Sequence, residues 1–248
     1  MRKTVLITGA SGGLGLEFAR IYAREGFDLV VVARSEGKLY KLKSELETQY
    51  DCHVWVLAQD LSQPDAAYEV FNYTLEKNIT IDALVNNAGF GDFGNFWEVD
   101  AQRQTDLLQV NIMTLVQLTR YFLPGMVERR HGSVLNLSSV AAFSAGPRMC
   151  LYYASKEFVR SFSEAVAEEV RSTGVTVTAL CPGPTATGFE QAAQMKNSHM
   201  FSMFKPASAA AVAEAGFRAA QKGNTLRYCG WPTHTVRLAA RLLPSSVC

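Results

Sequence analysis

The chain has 248 residues, 48% of them apolar and 19% charged, and its 24 Lys and Arg nearly balance its 23 Asp and Glu, for a net charge of +1. That composition excludes a disordered or fibrous chain, and the near-neutral balance excludes the basic footprint of a nucleic-acid binder. No stretch approaches the ~20 consecutive apolar residues of a membrane span.

Short apolar runs alternate with stretches of helical period, the pattern of strand–helix–strand units and a parallel sheet. Val5, Leu6 and Ile7 read as the first strand. Leu14, Phe18, Ile21 and Tyr22 then recur at i, i+4, i+7 and i+8, one face of a helix that Gly26 ends. Leu29 to Ala33 reads as a second strand, apolar throughout because parallel strands are covered on both faces. Leu39, Leu42 and Leu46 mark a second helix, Val54 to Ala58 a third strand, Pro64 the first turn of a third helix and Ile81 to Val85 a fourth strand. One long helix is expected over 101–129, then a strand over 133–137, a helix over 151–172 and a strand over 175–180. Ala207 to Ala220 reads as a further helix and Leu226 to Cys229 as the last strand. Together these predict an α/β fold, a doubly wound parallel sheet of about seven strands with helices on both faces, forming one domain over 1–248.

The first strand runs straight into Thr8-Gly9-Ala10-Ser11-Gly12-Gly13-Leu14-Gly15, which opens the first helix. Glycines there let the backbone turn sharply and approach a pyrophosphate, whose charge the free N–H groups and dipole of the helix start stabilise. An ordinary strand-to-helix turn is the alternative, and the surrounding strand–helix–strand frame favours a dinucleotide. At the end of the second strand an acidic residue would suit the ribose hydroxyls of NAD, and a basic one the extra phosphate of NADP. Arg34 stands there, a permanently charged planar donor, with Ser35 and Ser11 as further donors, so NADP(H) is expected ahead of NAD(H).

The spacing is TGxxxGxG and resembles that of the short-chain dehydrogenase/reductase family, and further motifs follow in the same order. Asn86-Asn87-Ala88-Gly89 resembles that family's NNAG element, and Tyr152 with Lys156 its YxxxK. Ser139, thirteen residues before Tyr152, matches its catalytic serine, Asn111 its helix asparagine, and Pro182-Gly183 its segment after the sixth strand. The resemblance covers nearly the whole chain. It implies a nicotinamide-dependent oxidoreductase interconverting a secondary alcohol and a ketone. It also implies cofactor contacts from Gly9, Ser11, Gly13, Leu14, Gly15, Leu61, Asn87, Ala88, Gly89, Tyr152 and Lys156, with Asp60 at the adenine. Pro182, Gly183, Thr185 and Thr187 would hold the nicotinamide end. Gly12 stands where NADP-preferring relatives often carry a basic residue, which weakens the preference that Arg34 sets.

Reducing a ketone puts negative charge on its oxygen, so the site needs a proton donor and fixed dipoles aimed there. Tyr152 can donate. A free phenol has a pKa near ~10, and a neighbouring cation lowers it; Lys156, four residues on, shares its helix face and is expected to do so. By resemblance Lys156 also holds the nicotinamide ribose, Ser139 orients the substrate oxygen, and Asn111 holds a water linking Lys156 to solvent. Ser138 and Tyr153 are expected to point away. A catalytically silent dinucleotide-binding redox sensor that regulates a partner is a second function class; a binding module has no need of the set Asn111, Ser139, Tyr152 and Lys156.

The stretch over 184–206 has no clean period and reads as a mobile substrate lid. Its Met195, Met200, Phe201, Met203 and Phe204 suit either a pliable wall for a bulky apolar substrate, such as a hydroxysteroid or 3-oxoacyl compound, or ordinary core packing. Val236, Leu238, Leu242 and Leu243 with Arg237 and Arg241 suit a docked helix or subunit contact better than a membrane surface. The basic, then apolar start of the chain breaks after three apolar residues, unlike a signal peptide. Five cysteines, an odd number without metal spacing, and four scattered histidines predict reduced thiols, no metal site and a cytoplasmic location. A homodimer or homotetramer is expected from the resemblance, with a small carbonyl or alcohol substrate and no nucleic acid or membrane-spanning partner.

Overall fold

Strands that are apolar at every position must be buried on both faces, and here alternate residues feed two cores. The computed structural model describes residues 2–188 and 206–229. Most of the expected lid, including Met195 to Phe204, and the apolar C-terminal stretch lie outside the described residues. Strands β1 (Thr4–Thr8), β2 (Asp28–Ala33), β3 (Val54–Ala58), β4 (Ala83–Asn86), β5 (Gly132–Leu137), β6 (Val175–Pro182) and β9 (Leu226–Cys229) form one seven-stranded sheet in the order β3-β2-β1-β4-β5-β6-β9. Every pairing is parallel, with Leu6 opposite Val30 and Leu84, and Asn86 opposite Asn136.

Helices α1 (Gly13–Arg24), α2 (Glu36–Gln49) and α7 (Ala209–Gln221) cover one face. Val5, Ile7, Leu29 and Val31 meet Phe18, Tyr22, Leu39, Leu46 and Phe217 there. Helices α3 (Ala66–Glu76), α5 (Leu115–Glu128) and α6 (Cys150–Glu169) cover the other, where Leu6, Val30, Val32 and Leu84 meet Val70, Leu118, Phe122, Met126 and Val166. Each fully buried aliphatic or aromatic side chain contributes about 1.5–3 kcal/mol. The chain works outward from β1 to β3 and then returns to β4, so the crevice for ligands opens where the loops after β1 and β4 part.

Several expectations need correction, beginning with the fourth strand, which starts at Ala83 rather than Ile81. The long helix over 101–129 is α4 (Ala101–Leu108), a π-helical turn over Gln109–Thr114, and α5. Pro64 precedes α3 rather than opening it, because Asp65 occupies the cap position. Helix α6 stops at Glu169, where the Thr173 hydroxyl bonds the Val170 carbonyl at 2.7 Å and Gly174 turns with φ +83 against Arg130. Strand β6 extends to Pro182 because β9 pairs with it that far. Ala207 and Ser208 (β8) pair with Thr185 and Ala186 (β7), and α7 starts only at Ala209, its N-terminus capped by the Ser208 hydroxyl accepting from Ala211 N at 3.2 Å. Among the described residues no helix is long and apolar enough to cross a membrane, and no cluster of three metal-ligating side chains occurs.

Candidate active site

The glycine loop folds as its composition requires. Gly9 and Gly13 have φ +67 and +55, which favour glycine. A Cβ on Gly15 would lie 2.2 Å from the Gly9 carbonyl oxygen and 2.6 Å from Asn87 Nδ2. Helix α1 carries no side-chain cap at Gly12, so its first N–H groups face the crevice. Leu14 packs on the core, while Ser11 lies half-buried at the loop's rim. Thr8 ties this loop to the next: its hydroxyl donates to Val85 O at 3.3 Å and accepts from the amides of Asn87 and Ala88 at 3.0 Å each. Asn87 Nδ2 returns to Thr8 O at 2.9 Å and Gly9 O at 3.3 Å. Gly15→Ala is therefore expected to cost about 1–3 kcal/mol of stability through overpacking, read as a lowered urea midpoint at unchanged slope.

At the other end of the crevice Arg34 and Ser35 are exposed at the tip of β2. Ser35 occupies the cap position of α2 without its hydroxyl capping, and Arg34 forms no ion pair with the described residues. Asp60 folds back on Ser62, accepting from its amide at 3.0 Å and its hydroxyl at 2.9 Å. Leu61 is buried, and its carbonyl accepts from the Thr114 hydroxyl at 2.9 Å.

The four expected catalytic residues converge where β4, β5 and α6 meet the π-helical turn. Lys156 is buried, and its Nζ donates to Leu137 O at 2.8 Å and lies 5.8 Å from the centre of the Tyr152 ring. Ser139 lies two residues past the end of β5; its hydroxyl accepts from Ala141 N at 3.1 Å and also hydrogen-bonds Tyr152. Asn111 is buried in the π-helical turn, with Nδ2 donating to Phe90 O at 3.0 Å and Ser155 Oγ at 3.1 Å and Oδ1 accepting from Phe90 N at 3.1 Å. Gly89 keeps the centre open: a Cβ there would sit 3.0 Å from Asn111 Oδ1 and 3.3 Å from Lys156 Nζ.

Burial governs the charges. It pushes the Lys156 ammonium down to about 8, against a smaller opposing effect of Cys181. Tyr152 is half-buried, yet the protein around it is dense enough to push its phenol up to about 12, with the Ser139 hydrogen bond opposing and Tyr153 adding to the rise. The expected lowering of Tyr152 by Lys156 is thus not what this arrangement produces, because burial of the phenol outweighs the groups that favour its charged form. Ser138 points away from Tyr152 as expected but is not idle, donating to the backbone carbonyl of Lys156 at 2.7 Å. Tyr153 points away too, its ring packed over Gly146, where a Cβ would meet it at 2.3 Å.

After β6, Gly183 N donates to Cys229 O at 3.1 Å and the Thr185 hydroxyl to Gly183 O at 2.8 Å. Pro182 is buried at the strand end, and Thr187 reaches the glycine loop, its Cβ 3.0 Å from where a Cβ on Gly13 would be. Beside Tyr152 opens a shallow, solvent-open cleft, lined by apolar Phe96, Val99, Leu107, Met149 and Leu151 and by Asp92, Gln104 and Arg148. Sequence reasoning assigned no part to Thr8, Ser155, Asp92 or Arg148. Ser155 alone carried a signal, three residues from Tyr152 on the same helix face.

Residues 3–198 match the family model for the short chain dehydrogenases. The chain belongs to the short-chain dehydrogenase family. A very-long-chain 3-oxoacyl-CoA reductase from Anas platyrhynchos is 33% identical to this chain over 186 residues, covering 73% of this chain and 59% of its own. The chain spans about half to three-fifths of the length of such reductases. A short-chain dehydrogenase from Sphingobium yanoikuyae, solved in complex with NADPH, superposes with a TM-score of 0.84 at 29% identity, covering 91% of this chain and 87% of that one. A short-chain dehydrogenase/reductase from Burkholderia phymatum, in complex with NAD, gives 0.83 at 27% identity over 97% and 92% of the two chains.

Proposed function

We propose that this short-chain dehydrogenase is an NADP(H)-dependent enzyme that interconverts a ketone and a secondary alcohol, with Tyr152 as proton donor and acceptor. The observation that carries the reading is the meeting of Tyr152, Ser139, Lys156 and Asn111 beside the open glycine loop. The cradle fits a dinucleotide: an uncapped helix start, two positive-φ glycines, and a third glycine packed too tightly for any side chain. When bound, the nicotinamide cofactor supplies or takes up the hydride. Gly9, Ser11, Gly13, Leu14 and Gly15 would hold its pyrophosphate, and Asp60 and Leu61 its adenine. Asn87, Ala88, Gly89, Pro182, Gly183, Thr185 and Thr187 would surround the nicotinamide.

With its pKa pushed up to about 12, Tyr152 carries its proton at neutral pH, the state a donor to the substrate oxygen requires. Ser139, beside it, orients that oxygen. Lys156, held near 8, exchanges protons close to neutrality and can reload the phenol. Asn111 Oδ1 and Lys156 Nζ both border the gap left by Gly89, which supports a water-borne link from the lysine to solvent. The apolar cleft beside Tyr152 supports a lipid-like carbonyl substrate, and the 3-oxoacyl-CoA reductase likeness points the same way.

The test is loss of NADPH absorbance with a panel of 3-oxoacyl, steroid and aliphatic ketones. Turnover that depends on Tyr152 supports the reading, and tight NADPH binding with no turnover of any member overturns it. For the cofactor, Arg34→Ala should raise the Kd for NADPH by about 10–100-fold, the loss of charge-assisted hydrogen bonds to a phosphate, and leave that for NADH nearly unchanged. Equal NADPH and NADH affinities in the parent protein would remove Arg34 from that role.

A further inference from the structure

We propose that Arg148 selects carbonyl substrates that carry an anionic group. The inference rests on the reductase reading above and narrows its substrate class. Arg148 lines the same cleft as Tyr152, beside apolar Met149, Leu151 and Phe96, and is the one cationic side chain in its lining. Its backbone is left-handed, φ +65, a conformation rare for a long side chain and concentrated where function demands a particular aim. Two contacts hold it there. The Arg148 carbonyl accepts from Gly94 N at 2.9 Å, and its guanidinium lies over the Phe93 ring, 5.8 Å from the ring centre. A side chain already placed loses less freedom when it captures a ligand.

Charge points the same way. The cleft's carboxylate, Asp92, is answered by Arg103, with Nε 3.1 Å from Oδ1. Arg148 forms no ion pair among the described residues, so the cleft keeps one uncompensated positive charge beside the proton donor. A planar guanidinium suits a carboxylate or phosphate better than any neutral group. The anion can be a carboxylate on the reacting skeleton, as in an oxo acid, or the phosphate of a carrier thioester.

Calorimetric titration of 3-hydroxyoctanoate and its methyl ester into the NADP⁺-loaded protein compares charged and neutral forms of one skeleton. The wild-type protein should bind the acid about ten-fold more tightly than the ester. Arg148→Asn, which tolerates the left-handed backbone, should bring the ratio close to one, and Arg148→Lys should restore part of it. Equal acid and ester affinities in the wild-type protein together with thioester turnover that Arg148→Asn leaves unchanged, or an Asn variant that weakens acid and ester alike, would overturn the proposal. Turnover of 3-oxooctanoate, its methyl ester and its coenzyme A thioester distinguishes the sources. Loss in Arg148→Asn confined to the acid assigns the anion to a nearby carboxylate, and loss confined to the thioester assigns it to the carrier. An acid preference without turnover of any of the three would sink the reductase reading and leave the anion site standing.

Discussion

Tyr152→Phe is expected to lower turnover by about 10²–10⁴-fold, the range by which a positioned proton donor accelerates a reaction. NADPH affinity should fall by no more than about ten-fold, since one neutral hydrogen bond is removed. The substitution is unusually clean because the ring is already fixed by its neighbours. Tyr153 lies edge-on with ring centres 6.2 Å apart, and Met149 and Phe93 pack against the pair. Phenylalanine keeps those contacts, so the melting temperature should stay close to that of the parent. Stopped-flow hydride transfer and a thermal melt on the same sample separate the two effects. Retention of full activity would end the assignment of Tyr152 as donor.

Lys156→Met should also abolish most activity, yet it should not destabilise the protein at neutral pH. Burial lowers the lysine from 10.5 to about 8, so the folded state holds this proton less tightly than the unfolded chain does. The unfolded chain therefore binds more protons between about pH 8 and 10.5, and stability rises with pH across that window. The penalty, at most about 3 kcal/mol, is fully present below pH 8. Methionine keeps the apolar stem and removes the charge; against that, the Leu137 carbonyl loses its donor, at about 1–3 kcal/mol. The net expectation is a melting temperature at pH 7 equal to the parent's or a few degrees higher, with the rise between pH 8 and 9.5 gone. Tyr152 acts in the opposite sense only above pH 10, so the two groups do not overlap in that range. In the parent enzyme ketone reduction should decline as pH passes about 8 and Lys156 gives up its proton. A variant markedly less stable at pH 7 would mean that the ammonium stabilises the fold.

Both predictions use residues that were legible in the chain, and the reasons differ. The sheet could be read because apolar runs such as Leu29 to Ala33 have no other stable home, and the glycine loop because Gly9 and Gly15 tolerate no side chain. Tyr152 and Lys156 could be paired because four residues make one helical turn. The direction of their pKa shifts could not, since that depends on how much protein from distant parts of the chain surrounds each group. Arg148 was invisible for a similar reason. Nothing near it in the chain announces a left-handed backbone or a cleft whose only acid is already engaged by Arg103. Ser138 points away as expected, but its bond to the Lys156 carbonyl could not be read, because alternation along a strand gives a direction and not the partner waiting there.

The π-helical turn at Gln109–Thr114 makes the catalytic geometry depend on chain length as well as on residue type. A wider turn takes up more residues than an α-helical one, so the faces of α4 and α5 are set out of phase with each other around it. Excision of a single residue anywhere in the turn would let a regular α-helix run through. Leu118 and Phe122 could remain in their core while the amide of Asn111 swung away from Phe90 and Ser155. Every motif in the chain would still be present. When this protein is aligned with a relative, a one-residue gap at this point therefore records whether the site is assembled, something a count of matching residues would miss.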